Sequence, residues 1–201
     1  MLPLTAQHWV FDMDGTLTRD IHDFELIRRT LRVPEGADIL AHLDALPPEE
    51  ANAHYHWLCQ YEHTLAERAE AADGILALLT SLKQQGAALG ILTRNVAPMA
   101  RLTLERAGLL AFFSDGTVLG RDDAAPKPSP DGLHRLARRW QVAPSALIMV
   151  GDSIIDIQTG RAAGAYTVLL HADDSAARRL AHLHMPDASA LLAQRAAAMA
   201  D

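Results

Sequence analysis

An alternation constrains this chain most: short apolar runs at 8–12, 88–93, 146–151 and 165–170 are separated by stretches with helical periodicity. Runs of strand length alternating with helical patterns are the sequence sign of an α/β fold built on a parallel sheet. A shorter run around 112–115 is a fifth strand candidate. The intervening periodicity predicts helices over 74–85, 97–107, 130–141, 154–163 and 188–199. Gly86 and Gly108 follow helical patterns and Gly164 precedes a strand pattern, where helices commonly close on a left-handed residue. Asp73, before Gly74-Ile75, reads as an N-cap.

Between residues 20 and 72 the alternation stops. Helical patterns at 24–31, 38–46 and 48–71 are punctuated by Pro34-Glu35-Gly36 and Pro47-Pro48, with no convincing strand. A stretch of this length is too long for a loop inside a compact domain, so it must be structured in its own right. The expected organisation is an α/β core made of residues 1–18 and 73–201, with a small helical cap, residues 19–72, inserted after the first strand.

Composition narrows the setting. The chain is 49% hydrophobic and 21% charged, enough for a sizeable core in one domain. A net charge of −7 argues against a general nucleic-acid or anionic-membrane surface while leaving room for a local basic pocket. The single cysteine, Cys59, excludes an intrachain disulfide framework and suits a reducing cytoplasm. No apolar run approaches the roughly 18 residues of a membrane span. The first eight residues lack the basic region and apolar core of a signal peptide. The expected location is the cytoplasm.

The first apolar run feeds directly into Phe11-Asp12-Met13-Asp14-Gly15-Thr16. In a strand the i, i+2 spacing would put both carboxylates on one face; at a strand end before a glycine turn, both can converge on one volume. Two acids held together at neutral pH repel each other, so a cation or a shared proton is expected. A divalent metal with a bound phosphate would meet that need, and carboxylates form aspartyl-phosphates, so the segment suggests phosphoryl chemistry. Three further polar clusters lie at strand ends or helix starts, where ligands bind in open parallel sheets. Thr93-Arg94-Asn95 offers a hydroxyl and backbone amides for phosphate oxygens. Pro126-Lys127-Pro128 places a cation in a segment stiffened by prolines. Gly151-Asp152-Ser153-Ile154-Ile155-Asp156 puts two carboxylates four residues apart at a helix opening.

Taken in order, Asp12-Met13-Asp14-Gly15-Thr16, Thr93, Lys127 and Gly151-Asp152 with Asp156 resemble the four motifs of the haloacid dehalogenase-like hydrolase superfamily. The likeness spans the whole chain, and Gly160-Arg161-Ala162-Ala163-Gly164-Ala165 is similar to phosphoglycolate-phosphatase-like members. The resemblance implies a Rossmann-like core, a Mg²⁺ cofactor and a small phosphomonoester substrate, with a monomer or small homo-oligomer as the assembly. By the same resemblance Asp12 is the nucleophile and one of the metal-binding residues. Asp14 is the general acid/base, and its backbone carbonyl also binds the metal. Asp152 ligates Mg²⁺ and Asp156 supports the metal site. Thr93 and Lys127 grip the phosphoryl group, and Lys127 also orients Asp12. An aspartate at position 14 is found in phosphatases and phosphomutases of the superfamily and is lacking in dehalogenases. Physical chemistry points the same way: a carboxylate attacking a phosphate dianion meets like-charge repulsion that Mg²⁺ and a lysine must offset.

The competing readings are a phosphomutase with the same nucleophile, and a non-catalytic partner-binding protein on the same fold. The intact acidic set speaks against the latter. Two departures from the usual pattern stand out: Arg19-Asp20 replaces a common Asp-Ser, and Arg94 intervenes before Asn95. Arg19 and Arg94 are therefore candidates for binding a substrate carboxylate or a second phosphate oxygen, and Asn95 is a candidate for the phosphate with Thr93. His171, ending the last apolar run, is a weaker candidate. The cap histidines His22, His42, His54, His56 and His63 read as packed or solvated imidazoles rather than a metal site. Trp57, Leu58, Tyr61 and Leu65 read as cap packing.

Overall fold

The structure, a computed structural model, describes residues 3–171 and 174–200. The strands are His8–Phe11 (β1), Ala88–Leu92 (β2), Val118–Leu119 (β3), Leu147–Gly151 (β4), Tyr166–Leu170 (β5) and Leu183–Met185 (β6). They form one sheet in the order β3-β2-β1-β4-β5-β6, and every pairing is parallel. The helices are Phe24–Thr30 (α1), Ile39–Asp44 (α2), Pro48–Ala66 (α3), Ile75–Gln84 (α4), Ala97–Arg106 (α5), Asp131–Trp140 (α6), Ile154–Ala163 (α7), Ser175–Leu180 (α8) and Ala188–Ala200 (α9). This is the α/β parallel-sheet architecture expected from the alternation of apolar runs.

Near-continuous apolar strands are what a sheet covered on both faces requires. Successive side chains of β1 go to opposite sides. Trp9 and Phe11 join Ile91, Ile148 and Val150 in a cluster with Leu78, Leu79 and Leu82 of α4 and Leu191 of α9. Val10 joins Met149 on the other face, against Leu133 and Leu136 of α6. The sheet grows from β1 to β2 and β3 on one side, then resumes at β4 on the other side of β1. Strand order thus reverses between β1 and β4, the place where parallel α/β sheets open a crevice at their carboxyl ends.

The helices α1, α2 and α3 lie between β1 and β2 and have a core of their own. Ile27, Leu31, Leu40, Leu43 and Leu58 are buried together, with Trp57 and Tyr61 packed against them. Those two rings stack, centroids 5.3 Å apart. No helix among the described residues is long and apolar enough to cross a membrane.

The structure differs from the sequence expectations at several element bounds. The fifth strand is not at 112–115, where Leu110–Phe112 forms a 3-10 turn; Gly116, at φ 71°, reverses the chain first. Val118 and Leu119 then pair with Ile91 and Leu92. The edge strand β6 lies outside the apolar runs because all three of its residues are only partly buried. The long helix α3 stops at Ala66 rather than 71, and Ala71 instead bridges to Thr18. Asp73 does not cap α4; that position is Gly74, at φ 78°, and Asp73 accepts a hydrogen bond from Arg19.

Candidate active site

The carboxyl ends of β1 and β4 place two acids side by side. Asp12 follows β1 directly, and its backbone N–H donates to the Val150 carbonyl at 2.8 Å, one step beyond the ladder. The chain then turns tightly: the Met13 carbonyl accepts from the N–H groups of Leu17 and Thr18 at 2.8 and 3.0 Å. Gly15 makes this turn possible. Its φ is 83°, and a Cβ there would lie 2.5 Å from Asp152 Oδ2. Glycine is needed both for the backbone conformation and for the close approach of the second acid.

On β4, Gly151 leads into Asp152 and then Ser153, the N-cap of α7. Ser153 and Asp156 form a reciprocal capping box: the Asp156 N–H donates to Ser153 Oγ, and Asp156 Oδ2 accepts from the Ser153 N–H and hydroxyl. The box leaves Oδ1 of Asp156 free to accept from Lys127 Nζ at 2.6 Å, while Lys127 also donates to Asp12 Oδ1. Lys127 is 4% exposed and Asp156 1%. The loop that carries the lysine is anchored at both sides, by Asp122 on the Ala97 N–H and by Asp131 on the Ala125 N–H.

Thr16, 0% exposed, donates its hydroxyl to Asp152 Oδ1 at 3.1 Å. Thr93, buried at the end of β2, accepts from the Asn95 N–H at 3.1 Å, which shapes the start of the loop into α5. A cavity of about 380 Å³ opens over these groups, and Asp12, Asp14, Thr93, Lys127, Asp152 and Asp156 all line it. Its opposite wall comes from α1, α2 and α3, including Ile27, Leu40 and Leu58. Glu62 of α3 is held across the cavity by Arg121, with N–O distances of 2.9 and 3.2 Å.

Electrostatics follow from burying so much charge. Burial pushes the Asp12 carboxyl well up, and the charges of Asp156 and Asp152 add to this against the pull of Lys127. Burial and Asp156 push Asp152 up to about 6, against the hydrogen bond from Thr16. Burial also raises Asp14, opposed by His22 and Lys127. For Lys127 burial alone would lower the ammonium, but Asp12 and Asp156 outweigh it and hold it above its usual value. Single oxygens of Asp12, Asp152 and Asp156 lie within 4.8 Å of one another. One lysine cannot balance three acids, and an all-oxygen donor set of this kind fits a hard divalent cation. The Asp14 carboxylate is not part of that trio.

Of the remaining sequence candidates, Arg94 lines the cavity, but its Nη2 donates to both oxygens of Asp38, at the start of α2, at 2.7 and 2.6 Å. Asn95 is 6% exposed and its side-chain oxygen accepts from the Val96 N–H at 2.9 Å. Arg19 lies apart from the main cavity, more than half exposed, on Asp73 at 2.9 Å and Glu70 at 3.8 Å. His171, at φ 61°, is exposed and does not line the cavity. Sequence reasoning passed over Arg121 and Glu62. The signal for Arg121 was present: it stands two residues past β3, at a strand end like the other clusters, but that strand had been expected earlier in the chain.

Comparison with known proteins fits this geometry. A family model for haloacid dehalogenase-like hydrolases matches residues 37–164. A haloacid dehalogenase-like hydrolase domain-containing protein of Arabidopsis thaliana is 33% identical over 173 residues, covering 80% of this chain and 69% of that protein. An N-acetylmuramic acid 6-phosphate phosphatase of Pseudomonas aeruginosa is 27% identical over 200 residues, covering 89% and 84%. The crystal structure of a hydrolase from Pseudomonas syringae superposes with a TM-score of 0.78 at 22% identity, covering 94% of this chain and 97% of that one. The family model spans well over half of the sequence, and the Arabidopsis relative is 33% identical over most of both chains, so the chain belongs to the haloacid dehalogenase-like hydrolases.

Proposed function

We propose that this hydrolase is a Mg²⁺-dependent phosphomonoesterase that works through an aspartyl-phosphate on Asp12, with residues 19–72 acting as a cap domain over the core. The observation that carries this reading is Lys127 shared between Asp12 and Asp156, beside Asp152, at the floor of the cavity. The ammonium orients the Asp12 carboxylate and supplies positive charge where a phosphoryl group would sit. Mg²⁺, held through Asp12 and Asp152 with Asp156 in support, would neutralise phosphoryl oxygens as a Lewis acid.

The chain's own groups then divide the work. An Asp12 oxygen attacks phosphorus, and the bond to the leaving alcohol breaks. Asp14, kept protonated more readily by its burial, gives its proton to the departing oxygen. As a carboxylate it next takes a proton from water attacking the same phosphorus, the Asp12–phosphorus ester breaks, and phosphate leaves. Thr93 offers a hydroxyl to the phosphoryl oxygens. The cap helices exclude bulk water from the site, which strengthens each of these interactions.

Phosphate release from a panel of phosphomonoesters, with Mg²⁺ and with a chelator, tests the reading. Hydrolysis should need the metal, and Asp12→Asn should abolish it while circular dichroism stays that of the folded protein. Unchanged turnover in Asp12→Asn would refute the mechanism.

A further inference from the structure

Among the described residues four permanently cationic side chains line the cavity: Arg28, Arg94, Arg121 and Lys127. Three of them are already matched by carboxylates. Lys127 faces Asp12 and Asp156, Arg94 faces Asp38, and Arg121 faces Glu62. His22, which also lines the cavity, sits 3.2 Å from Asp20. Arg28 is different. Its Nη1 donates to the backbone carbonyls of Ala37 at 2.8 Å and Pro34 at 3.4 Å, and no carboxylate lies within ion-pairing distance of it among the described residues.

Two carbonyls fix a guanidinium without cancelling its charge, and they leave Nε and Nη2 without protein acceptors among the described residues. The holding is mutual. The Val33 N–H donates back to the Arg28 carbonyl at 2.9 Å, and the Ala37 N–H donates to the Pro34 carbonyl at 3.1 Å, so the arginine and the loop after α1 brace each other. Ile27 and Leu40 line the same wall of the cavity, and Arg28 is only partly exposed there, so a charge pair at it is less screened than one on an open surface. A fixed fork with unspent donors is suited to a planar or tetrahedral anion.

We infer that Arg28 is a specificity-determining residue that reads a second anionic group, carboxylate or phosphate, on the substrate. This rests on the phosphomonoesterase reading of the site, and it selects among substrates: a monoester carrying a further negative charge is preferred over its uncharged counterpart. It also relieves Arg19 and Arg94 of that role, since each is engaged by acids of the chain itself.

Matched pairs test it: phosphoglycolate against 2-hydroxyethyl phosphate, 3-phosphoglycerate against glycerol 1-phosphate, and a hexose bisphosphate against its monophosphate. All are assayed by phosphate release with Mg²⁺, and p-nitrophenyl phosphate serves as reference. In at least one pair the wild type should favour the more anionic member by tenfold or more in kcat/KM. Arg28→Gln keeps a donor for the Ala37 carbonyl but removes the charge, and should shrink that ratio roughly tenfold to a hundredfold, mainly through KM. Arg28→Lys, which keeps the charge, should recover part of it. A purely structural role would lower both members of a pair together and leave the ratio where it was. Turnover without anionic preference in any pair, or a preference that Arg28→Gln leaves intact, overturns the inference alone. Inactivity toward every ester, the aryl phosphate included, overturns the phosphomonoesterase reading and the inference with it.

Discussion

Replacing Lys127 with methionine tests how the site holds its charges. The lysine is 4% exposed and hydrogen-bonded to two carboxylates, with Asp152 close behind them. Oxygens of the three acids lie within 4.8 Å of one another. At an effective dielectric near 20, each pair of ionised acids at that spacing repels by about 3 kcal/mol. Methionine fills much of the lysine stem's volume, so packing changes little while the compensating charge is lost. Removing one partner of a buried ion pair costs about 3–5 kcal/mol, in line with that repulsion. The loss should appear in urea unfolding of the metal-free protein, as a lower midpoint at unchanged slope. Activity should suffer more. Preorganised charge at a reacting oxyanion is worth roughly a hundredfold to a thousandfold, so phosphate release under saturating Mg²⁺ should fall by at least that factor. A variant within tenfold of wild-type kcat/KM would refute the role given to Lys127. A variant as stable as wild type without metal would refute the claim that these acids are crowded.

Asp14→Asn should slow hydrolysis of alkyl phosphates by about a hundredfold to ten-thousandfold, and p-nitrophenyl phosphate much less, because a good leaving group needs no proton. Equal losses on both would remove Asp14 from protonating the leaving group. Arg121→Leu leaves Glu62 buried without its partner, in a place where burial already raises that carboxyl. The folded state then binds the proton more tightly than the unfolded chain. The unfolded value cancels in the comparison with wild type. The variant's relative stability should therefore decline as pH rises from the already raised value of Glu62 in wild type through its higher value in the variant, then level off. Urea midpoints measured from pH 4.5 to 8 follow this, and a difference that does not change with pH would show that Glu62 finds another partner.

The sheet's centre was legible because its strands are apolar on both faces. Runs such as Val10-Phe11 and Ile148-Met149-Val150 admit few other readings once helical patterns flank them. The edges were not. β3 and β6 are two and three residues long, too short for any periodicity to announce them. The floor of the site was legible for a related reason: Asp12, Thr93 and Asp152 each follow one of the clear central strands. The wall built from α1, α2 and α3 was hidden. Whether Arg28, Glu62 or Asp38 meets the cavity depends on how α1, α2 and α3 sit over the sheet, and neighbours in space there lie far apart in the chain. Arg94 shows the limit best. Its sequence position beside Thr93 made it a candidate for substrate, yet its partner Asp38 lies 56 residues away and caps α2.

Asp156 shows that the start of α7 and the chemistry of the site are one arrangement. A carboxylate at the third position of a helix would ordinarily point one oxygen at the capping residue and the other at solvent. Here Ser153 takes Oδ2 and the second oxygen meets Lys127. The cap thereby sets the rotamer of the acid, the acid sets the position of the ammonium, and the ammonium holds Asp12 at the end of β1. Gly151 is required by the same chain of contacts, since a Cβ there would lie 2.3 Å from the Asp156 side chain. Local helix-start preferences that would matter modestly to stability on a surface helix, roughly 1 kcal/mol for a cap, therefore fix the orientation of the Asp12 carboxylate, 144 residues away in sequence. The fold does not merely carry this site; its helix-capping hydrogen bonds are the site's positioning contacts.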